Sequence, residues 1–227
     1  GIPFTGPGHA ACALAMDKLL LKRVLKAEGI PTAEWIAFES DVYAADPAVA
    51  LEKSTAFAER FGYPVVVKAR ALGSSVGVAV AMRREDLAKA LVDASTGDGG
   101  LFVERGLKGP EVSCATFGRG GAAFAMPSIE IVPKKAAWFD YESKYAPGGS
   151  IERVPAMIPP EAEARVRETA LRVHRLIGAS SVVRTDMIIE DGTPYVLETN
   201  ALPGMTPMSL VPQEAAALGW SFPELLR

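Results

Sequence analysis

The stretch that most constrains the fold runs from residue 182 to residue 210 and reads VVRTDMIIEDGTPYVLETNALPGMTPMSL. Two apolar runs, 182–189 and 195–197, flank Asp191-Gly192, a dipeptide favoured in two-residue hairpin turns. A chain that turns there pairs the runs antiparallel and carries Asp186 towards Glu198 and Asn200. Glu198 and Asn200 are two residues apart, so in an extended segment both side chains point the same way. Two carboxylates and an amide oxygen on one face suit Mg²⁺, which is usually held by one or two carboxylates plus substrate phosphates. Arg184 shares the face of Asp186, and a cation beside such a set makes sense when an anion sits between them. Pro203-Gly204 then marks a turn with an exposed backbone amide, the kind of donor an oxyanion needs. Any one of these matches taken alone also reads as a solvated hairpin with a polar outer face.

A second constellation lies earlier in the chain. Residues 63–68 read as a buried strand ending in Lys68, and residues 78–82 as another strand. Between them lies Gly73-Ser74-Ser75-Val76-Gly77. Small residues there let backbone N–H groups approach phosphate oxygens, and the two hydroxyls add donors. A plain hairpin loop is the competing reading. The segment is not a Walker A motif, because no Gly-Lys-Ser/Thr follows. It matches G-x-S-x-G with Ser75 at its centre, but a nucleophile elbow needs a helix straight after it, and a strand-like run follows. Ser75 is therefore expected not to be a nucleophile.

The remaining elements are read from periodicity. Residues 10–28 give one helix with Gly29 as its stop; Lys18 and Lys22 share a face of it, where two solvated lysines are the ordinary outcome. Residues 48–60, 85–94 and 210–218 are further helices. Residues 35–38, 101–104, 111–117 and 122–132 supply strands. Pro159-Pro160 open a helix whose Ala162, Val166, Ala170, Val173 and Ile177 form one buried face, with His174 a packed or rim residue beside it. Residues 134–150 form a long polar loop, a length that often marks a functional lid. This order predicts an α+β protein with antiparallel sheets in two lobes.

Composition excludes several classes. A formal net charge of −3 argues against nucleic-acid binding through phosphate contacts. No apolar run approaches ~20 residues, so no membrane span is expected. Two cysteines, Cys12 and Cys114, are too few for a disulfide framework and point to reduced thiols in the cytoplasm. Two histidines make a zinc site improbable.

Taken together, ALAMDK at 13–18, PVVVKARALGSSVGV at 64–78, FVERGLKGPEVS at 102–113, FDYESKY at 139–145, RTD at 184–186 and ETNALPGMTPMSLVP at 198–212 resemble the ATP-grasp superfamily, and within it the D-alanine–D-alanine ligases. The resemblance implies two antiparallel lobes that sandwich the nucleotide, divided as residues 1–105, the ATP lobe with its N-terminal connector, and 106–227, the metal and substrate lobe. It implies that Lys18 and Lys68 contact ATP phosphates and that Ser74 and Ser75 lie in the loop covering them. Residues 104–107, with Glu104, Arg105 and Leu107, match the hinge that reads adenine through backbone groups, and Glu111 matches the carboxylate on the ribose. Asp186, Glu198 and Asn200 correspond to ligands of two Mg²⁺ ions, with Mn²⁺ as an alternative. Arg184 and the Gly204 amide match the groups that hold the acyl phosphate and the tetrahedral oxyanion. Lys144 and Tyr145 match the omega-loop that closes over the substrates, and Ser209 the hydroxyl that receives the second substrate's carboxylate.

The implied activity is ATP-dependent formation of D-alanyl-D-alanine for peptidoglycan precursors. The partners are the small molecules ATP and D-alanine, with neither nucleic acid nor membrane, and a homodimer in the full-length protein. Tyr145 favours D-alanine over D-lactate as second substrate. The alternatives are a related carboxylate–amine ligase and an ATP-binding module inactive by itself. Family members carry a further N-terminal α/β domain, with a glutamate that orients the first D-alanine, ahead of the segment matching residues 1–6. The chain starts at Gly1, so the expectation is that it binds ATP and condenses D-alanine poorly or not at all.

Overall fold

The computed structural model describes residues 2, 4–73, 76–95, 99–133 and 150–226. Its frame is two antiparallel sheets. The first has four strands in the order β1-β4-β2-β3, with β1 Trp35–Phe38, β2 Val65–Ala69, β3 Val78–Ala81 and β4 Leu101–Arg105. The second has the order β10-β9-β5-β7-β8, with β6 paired to β5 off that path. Its strands are β5 Glu111–Arg119, β6 Phe124–Ala125, β7 Ile129–Pro133, β8 Ser150–Arg153, β9 Ser180–Glu190 and β10 Thr193–Asn200. Helices cover one face of each sheet, as antiparallel sheets with one buried face require.

The first sheet buries Val65, Val67, Leu101 and Val103 against helices Pro47–Phe61 and Leu87–Ala94, through Phe57, Ala58, Leu87 and Leu91. The second packs Val112, Val183, Met187 and Val196 against helix Pro160–Leu176, whose Ala162, Val166, Ala170 and Val173 form the anticipated stripe. Ile177, the last member of that stripe, is buried at the helix C-cap. Leu21, Leu25 and Ile30 join this second core, so the N-terminal segment packs on the second sheet although the first follows it in sequence. His174 is fully buried, its Nδ1 2.9 Å from Thr116 Oγ1; burial lowers its pKa from the usual histidine value.

The structure adds helices Ser40–Ala45 and Phe222–Leu225 and strand β8 to the sequence reading, and it breaks one expected helix in two. Residues 10–28 form two helices, His9–Met16 and Lys18–Ala27, interrupted at Asp17. The Asp17 side chain accepts the Leu20 N–H at 2.9 Å and pairs with Arg70 Nη2 at 2.7 Å. An aspartate with an extended backbone that caps the following turn is a helix N-cap, and the partly buried ion pair with Arg70 outweighs the helix propensity of its neighbours.

The turn at Asp191-Gly192 is where local sequence constrains the backbone most tightly. Both residues have positive φ, 49° and 73°, the combination of the turn that matches strand twist in two-residue hairpins. The register pairs Asp186 with Glu198 and Arg184 with Asn200, across an irregularity between Val196 and Glu198. Gly109 marks a close approach: at φ 143° a Cβ there would sit 1.9 Å from the Ile189 carbonyl oxygen, so only glycine lets the 106–110 connector lie against β9.

Candidate active site

A cavity of about 470 Å³ lies between the two sheets. Pro64, Val66, Val78 and Val80 form an apolar wall on the first sheet, with Ile131, Ile188 and Leu197 on the second. Charged residues reach the lining as well, among them Lys18, Lys68, Glu104, Glu111, Asp186 and Glu198. An apolar slot with convergent charges is the usual form of a small-ligand site.

On the first sheet, β2 and β4 pair so that Lys68 lies opposite Phe102 and Val66 opposite Glu104. Glu104 is 2% exposed. Its Oε1 stands 2.5 Å from Lys68 Nζ and its Oε2 2.8 Å from Lys22 Nζ. Burial pushes the Glu104 carboxyl up, but the two ammonium groups prevail and hold it at about 2. The two lysines respond differently. Desolvation lowers Lys22 below the ordinary lysine value in spite of Glu104, and Lys68 adds repulsion. Desolvation also acts on Lys68, yet Glu104, Glu198 and Glu111 together carry it above that value. The difference has a geometric cause, since Lys68 faces the carboxylates of the cavity and Lys22 lies behind it.

Lys18, at the start of its helix, donates to the Leu72 carbonyl and stands 3.3 Å from Glu198 Oε2. Arg105 joins the connector to both walls, with Nε 2.9 Å from Glu34 and Nη1 2.7 Å from Glu190. Leu107 and Glu111 line the cavity on either side of Gly109.

On the second sheet, Asp186 is 5% exposed and held from three directions. Arg184 donates to both its oxygens, Nε to Oδ1 and Nη2 to Oδ2, each at 2.9 Å. Ser113 Oγ donates to Oδ1 at 2.6 Å, and Asn200 Nδ2 to Oδ2 at 3.1 Å. Burial works against the Arg184 guanidinium, but Asp186, Glu198 and Glu214 raise its pKa well above the usual value. After β10 the chain turns through Pro203-Gly204 to Ser209, whose Oγ meets the Thr206 N–H at 3.0 Å and the Thr206 hydroxyl at 2.9 Å. The helix that follows, Leu210–Ala217, is tied to the sheet by Glu214, which accepts the Ala115 N–H at 2.6 Å. That bond sets the position of the 201–209 turn relative to Arg184, because Ala115 pairs with Arg184 across β5 and β9.

The residues read from the sequence thus fall into one region: Arg184, Asp186, Glu198 and Asn200 on the hairpin, Lys18 and Lys68 across from them, and residues 104–111 along one side. Ser74, Ser75, Lys144 and Tyr145 lie outside the described residues, as does the 134–149 part of the anticipated lid. Strand β3 does follow Gly77, so no helix stands where a nucleophile elbow places one. Two contributors are invisible to a reading of the sequence. Ser113 meets Asp186 only because β5 pairs with β9 in that register. Lys22 has the sequence context of a surface lysine and is 1% exposed.

Asp186, Glu198 and Asn200 supply oxygen donors from one face. Among the described residues no three His, Cys, Asp or Glu side chains converge as a metal site. A hard divalent cation held there must therefore complete its shell with other oxygens. This fits Mg²⁺, which keeps waters and takes substrate phosphates as ligands, and it fits structural Zn²⁺ poorly.

A family model described as "D-ala D-ala ligase C-terminus" matches residues 24–227. The chain is 41% identical over 227 residues to a D-alanine–D-alanine ligase of Synechococcus sp. strain JA-3-3Ab, covering 100% of this chain and 67% of that protein. It superposes on the D-alanine–D-alanine ligase of Bacillus anthracis with a TM-score of 0.82 at 34% identity, covering 100% of this chain and 69% of that one. The structure of that ligase complexed with ATP gives a TM-score of 0.78 at 30% identity, covering 100% of this chain and 68% of that one. The aligned chain spans about two thirds of each relative.

Proposed function

The chain belongs to the D-alanine–D-alanine ligase family, and from that premise we propose that it serves the ATP- and Mg²⁺-dependent joining of two D-alanines for peptidoglycan synthesis. The observation that carries this reading is the cavity between the sheets, with Lys68 paired to Glu104 on one wall, Asp186 and Glu198 on the other, and Lys18 against Glu198. The fold is the ATP-grasp fold of the solved relatives. We take residues 1–105 as the nucleotide lobe with its connector and 106–227 as the metal and substrate lobe, in a cytoplasmic enzyme whose full-length form is a homodimer. Among the described residues no helix is long and apolar enough to cross a membrane.

Each wall has a separate task in this reading. The apolar slot lined by Val66, Val80, Ile131 and Leu197 receives adenine, and backbone groups of residues 104–107 read its edge. Glu111 meets the ribose hydroxyls. Lys18 and Lys68 neutralise phosphate oxygens, and Ser74 and Ser75 serve as further phosphate-binding groups. Asp186, Glu198 and Asn200 hold the metal, which when bound offsets charge on the phosphoryl group being transferred. Arg184 and the Gly204 amide orient the first D-alanine's carboxylate as it takes the γ-phosphoryl group and ADP departs. The same two donors then stabilise the oxyanion formed when the second D-alanine's amine attacks the acyl phosphate and inorganic phosphate leaves. Ser209 receives the second substrate's carboxylate. Lys144 and Tyr145 belong to the segment that excludes water, which the acyl phosphate requires.

The test is a titration of a fluorescent ATP analogue with and without Mg²⁺, followed by assays of phosphate release and dipeptide formation with D-alanine. Mg²⁺-dependent binding and D-alanyl-D-alanine as product are expected. Absence of nucleotide binding would sink the reading; turnover with D-lactate or an L-amino acid in place of the second D-alanine would keep the chemistry and change the substrate.

A further inference from the structure

We propose that Lys22 is a positioning residue for the nucleotide phosphates: by sharing the Glu104 carboxylate with Lys68, it leaves the Lys68 ammonium able to turn towards an incoming phosphate. This rests on the reading above, in which Lys68 meets ATP.

The geometry separates the two lysines. Glu104 gives one oxygen to each, Oε2 to Lys22 at 2.8 Å and Oε1 to Lys68 at 2.5 Å. Lys68 and Glu104 line the cavity and Lys22 does not. Lys22 is anchored from behind as well. Its Nζ donates to Thr32 Oγ1 at 2.7 Å, and Thr32 Oγ1 donates to the Val196 carbonyl at 3.0 Å. It also lies 5.3 Å from the centre of the Trp35 ring, a favourable cation–π distance. Lys22 is therefore fixed, at 1% exposure, while the Lys68 side chain keeps 12% of its surface open.

The charges then decide the behaviour. Around Glu104 two ammonium groups face one carboxylate, one positive charge in excess that only Glu198 and Glu111, on the cavity side, offset. A buried excess charge is costly unless an anion completes it, and the cavity side is where an anion can arrive. If Lys22 were neutral, Glu104 would have Lys68 as its one remaining ion-pair partner in the cluster, and withdrawing Lys68 would strand a carboxylate in a dry site. Lys68 would then be held back from the phosphate. Lys22 thus acts on the phosphates through Glu104 and Lys68, without touching the nucleotide. The Thr32 link adds a second consequence. Val196 borders the irregularity before Glu198, so the same lysine ties the phosphate-facing lysine of one sheet to the strand that carries a metal ligand on the other.

The experiment compares ATP with adenosine, which lacks phosphates, at fixed Mg²⁺. Lys22→Met should weaken ATP binding roughly tenfold or more, the scale of losing one partner from a buried charged set, while adenosine affinity stays within about twofold. In the Glu104→Gln background the carboxylate that the two lysines share is gone, so adding Lys22→Met there should change ATP affinity less than about twofold. That second comparison leaves no unpaired buried carboxylate and decides the matter if Lys22→Met alone does not fold. Equal losses for ATP and adenosine would reduce Lys22 to a structural role and overturn the proposal. So would ATP binding unchanged by Lys22→Met, or a tenfold loss that persists in the Glu104→Gln background. A parent protein that does not bind ATP would instead remove the functional reading beneath it.

Discussion

On the first sheet one carboxylate, Glu104, stands between two ammonium groups, Lys22 and Lys68. On the second, one guanidinium, Arg184, closes on Asp186 while Glu198 stands nearby with 28% of its side chain exposed. The first wall carries an excess positive charge and the second an excess negative one. Their partners also differ in kind. Glu104 is satisfied by two ammonium groups, one fixed and one able to move, whereas Asp186 is held by a rigid guanidinium fork, a serine hydroxyl and an amide. Arg gives fixed bidentate geometry and Lys a mobile point charge. The positive wall is thus built to adapt to a flexible polyanion, and the negative wall to keep one geometry for a metal and a reacting centre. A nucleotide triphosphate with a divalent cation complements both walls at once, and neither element alone would.

The sharpest way to break this comparison is at the rigid wall. Arg184→Leu should lower ATP-dependent dipeptide formation by ~10²–10³, the usual loss for one donor to a developing oxyanion. A rate within tenfold of the parent would remove Arg184 from the chemistry. Next in size, Glu198→Ala should cost one charged interaction, about 1.5–3 kcal/mol, and weaken Mg²⁺-dependent nucleotide binding roughly ten- to a hundredfold. Binding of the nucleotide without Mg²⁺ should change little, because Glu198 acts on the nucleotide through the metal. Binding by this variant that is as tight and as Mg²⁺-dependent as in the parent would show that the metal lies elsewhere.

The adaptable wall has a pH signature. Glu104 is held at about 2 in the folded chain against an ordinary value of 4.5. A depressed carboxyl contributes stability that is fully present above about 4.5 and is lost as pH falls through about 2. Denaturant unfolding followed across that window should show a steeper acid loss for the parent than for Glu104→Gln. Parallel curves would mean that Glu104 titrates alike in both states. The smallest effect belongs to a pair outside the site. Lys89 and Asp93, exposed and four residues apart on a helix, should contribute at most about 0.5 kcal/mol. If Lys89→Ala cost as much as Lys22→Met in thermal unfolding, burial would not be what gives the Glu104 cluster its weight.

The hairpin and its face are legible in the sequence because their determinants are local. Asp191-Gly192 dictates a tight turn, the two-residue period of a strand puts Arg184 with Asp186 and Glu198 with Asn200, and the pairing follows from the turn. The 160–176 helix is equally readable, since a repeat of apolar residues at helical spacing states which face is buried. The break at Asp17 is not, because it depends on Arg70, 53 residues further along. Ser113 is hidden for the same kind of reason: its bond to Asp186 spans 73 residues and exists only through the order of strands in the second sheet. Lys22 is the clearest case. On a helix, Lys18 and Lys22 look alike, and nothing in a lysine's neighbours along the chain says whether its ammonium will meet water or a carboxylate. The partner that meets it, Glu104, lies 82 residues away on a strand of the first sheet. Local sequence sets backbone geometry and side-chain direction. Whether a charge is solvated, paired or shared is decided by what the fold packs against it, and that is settled only when the two sheets and the helices packed on them come together.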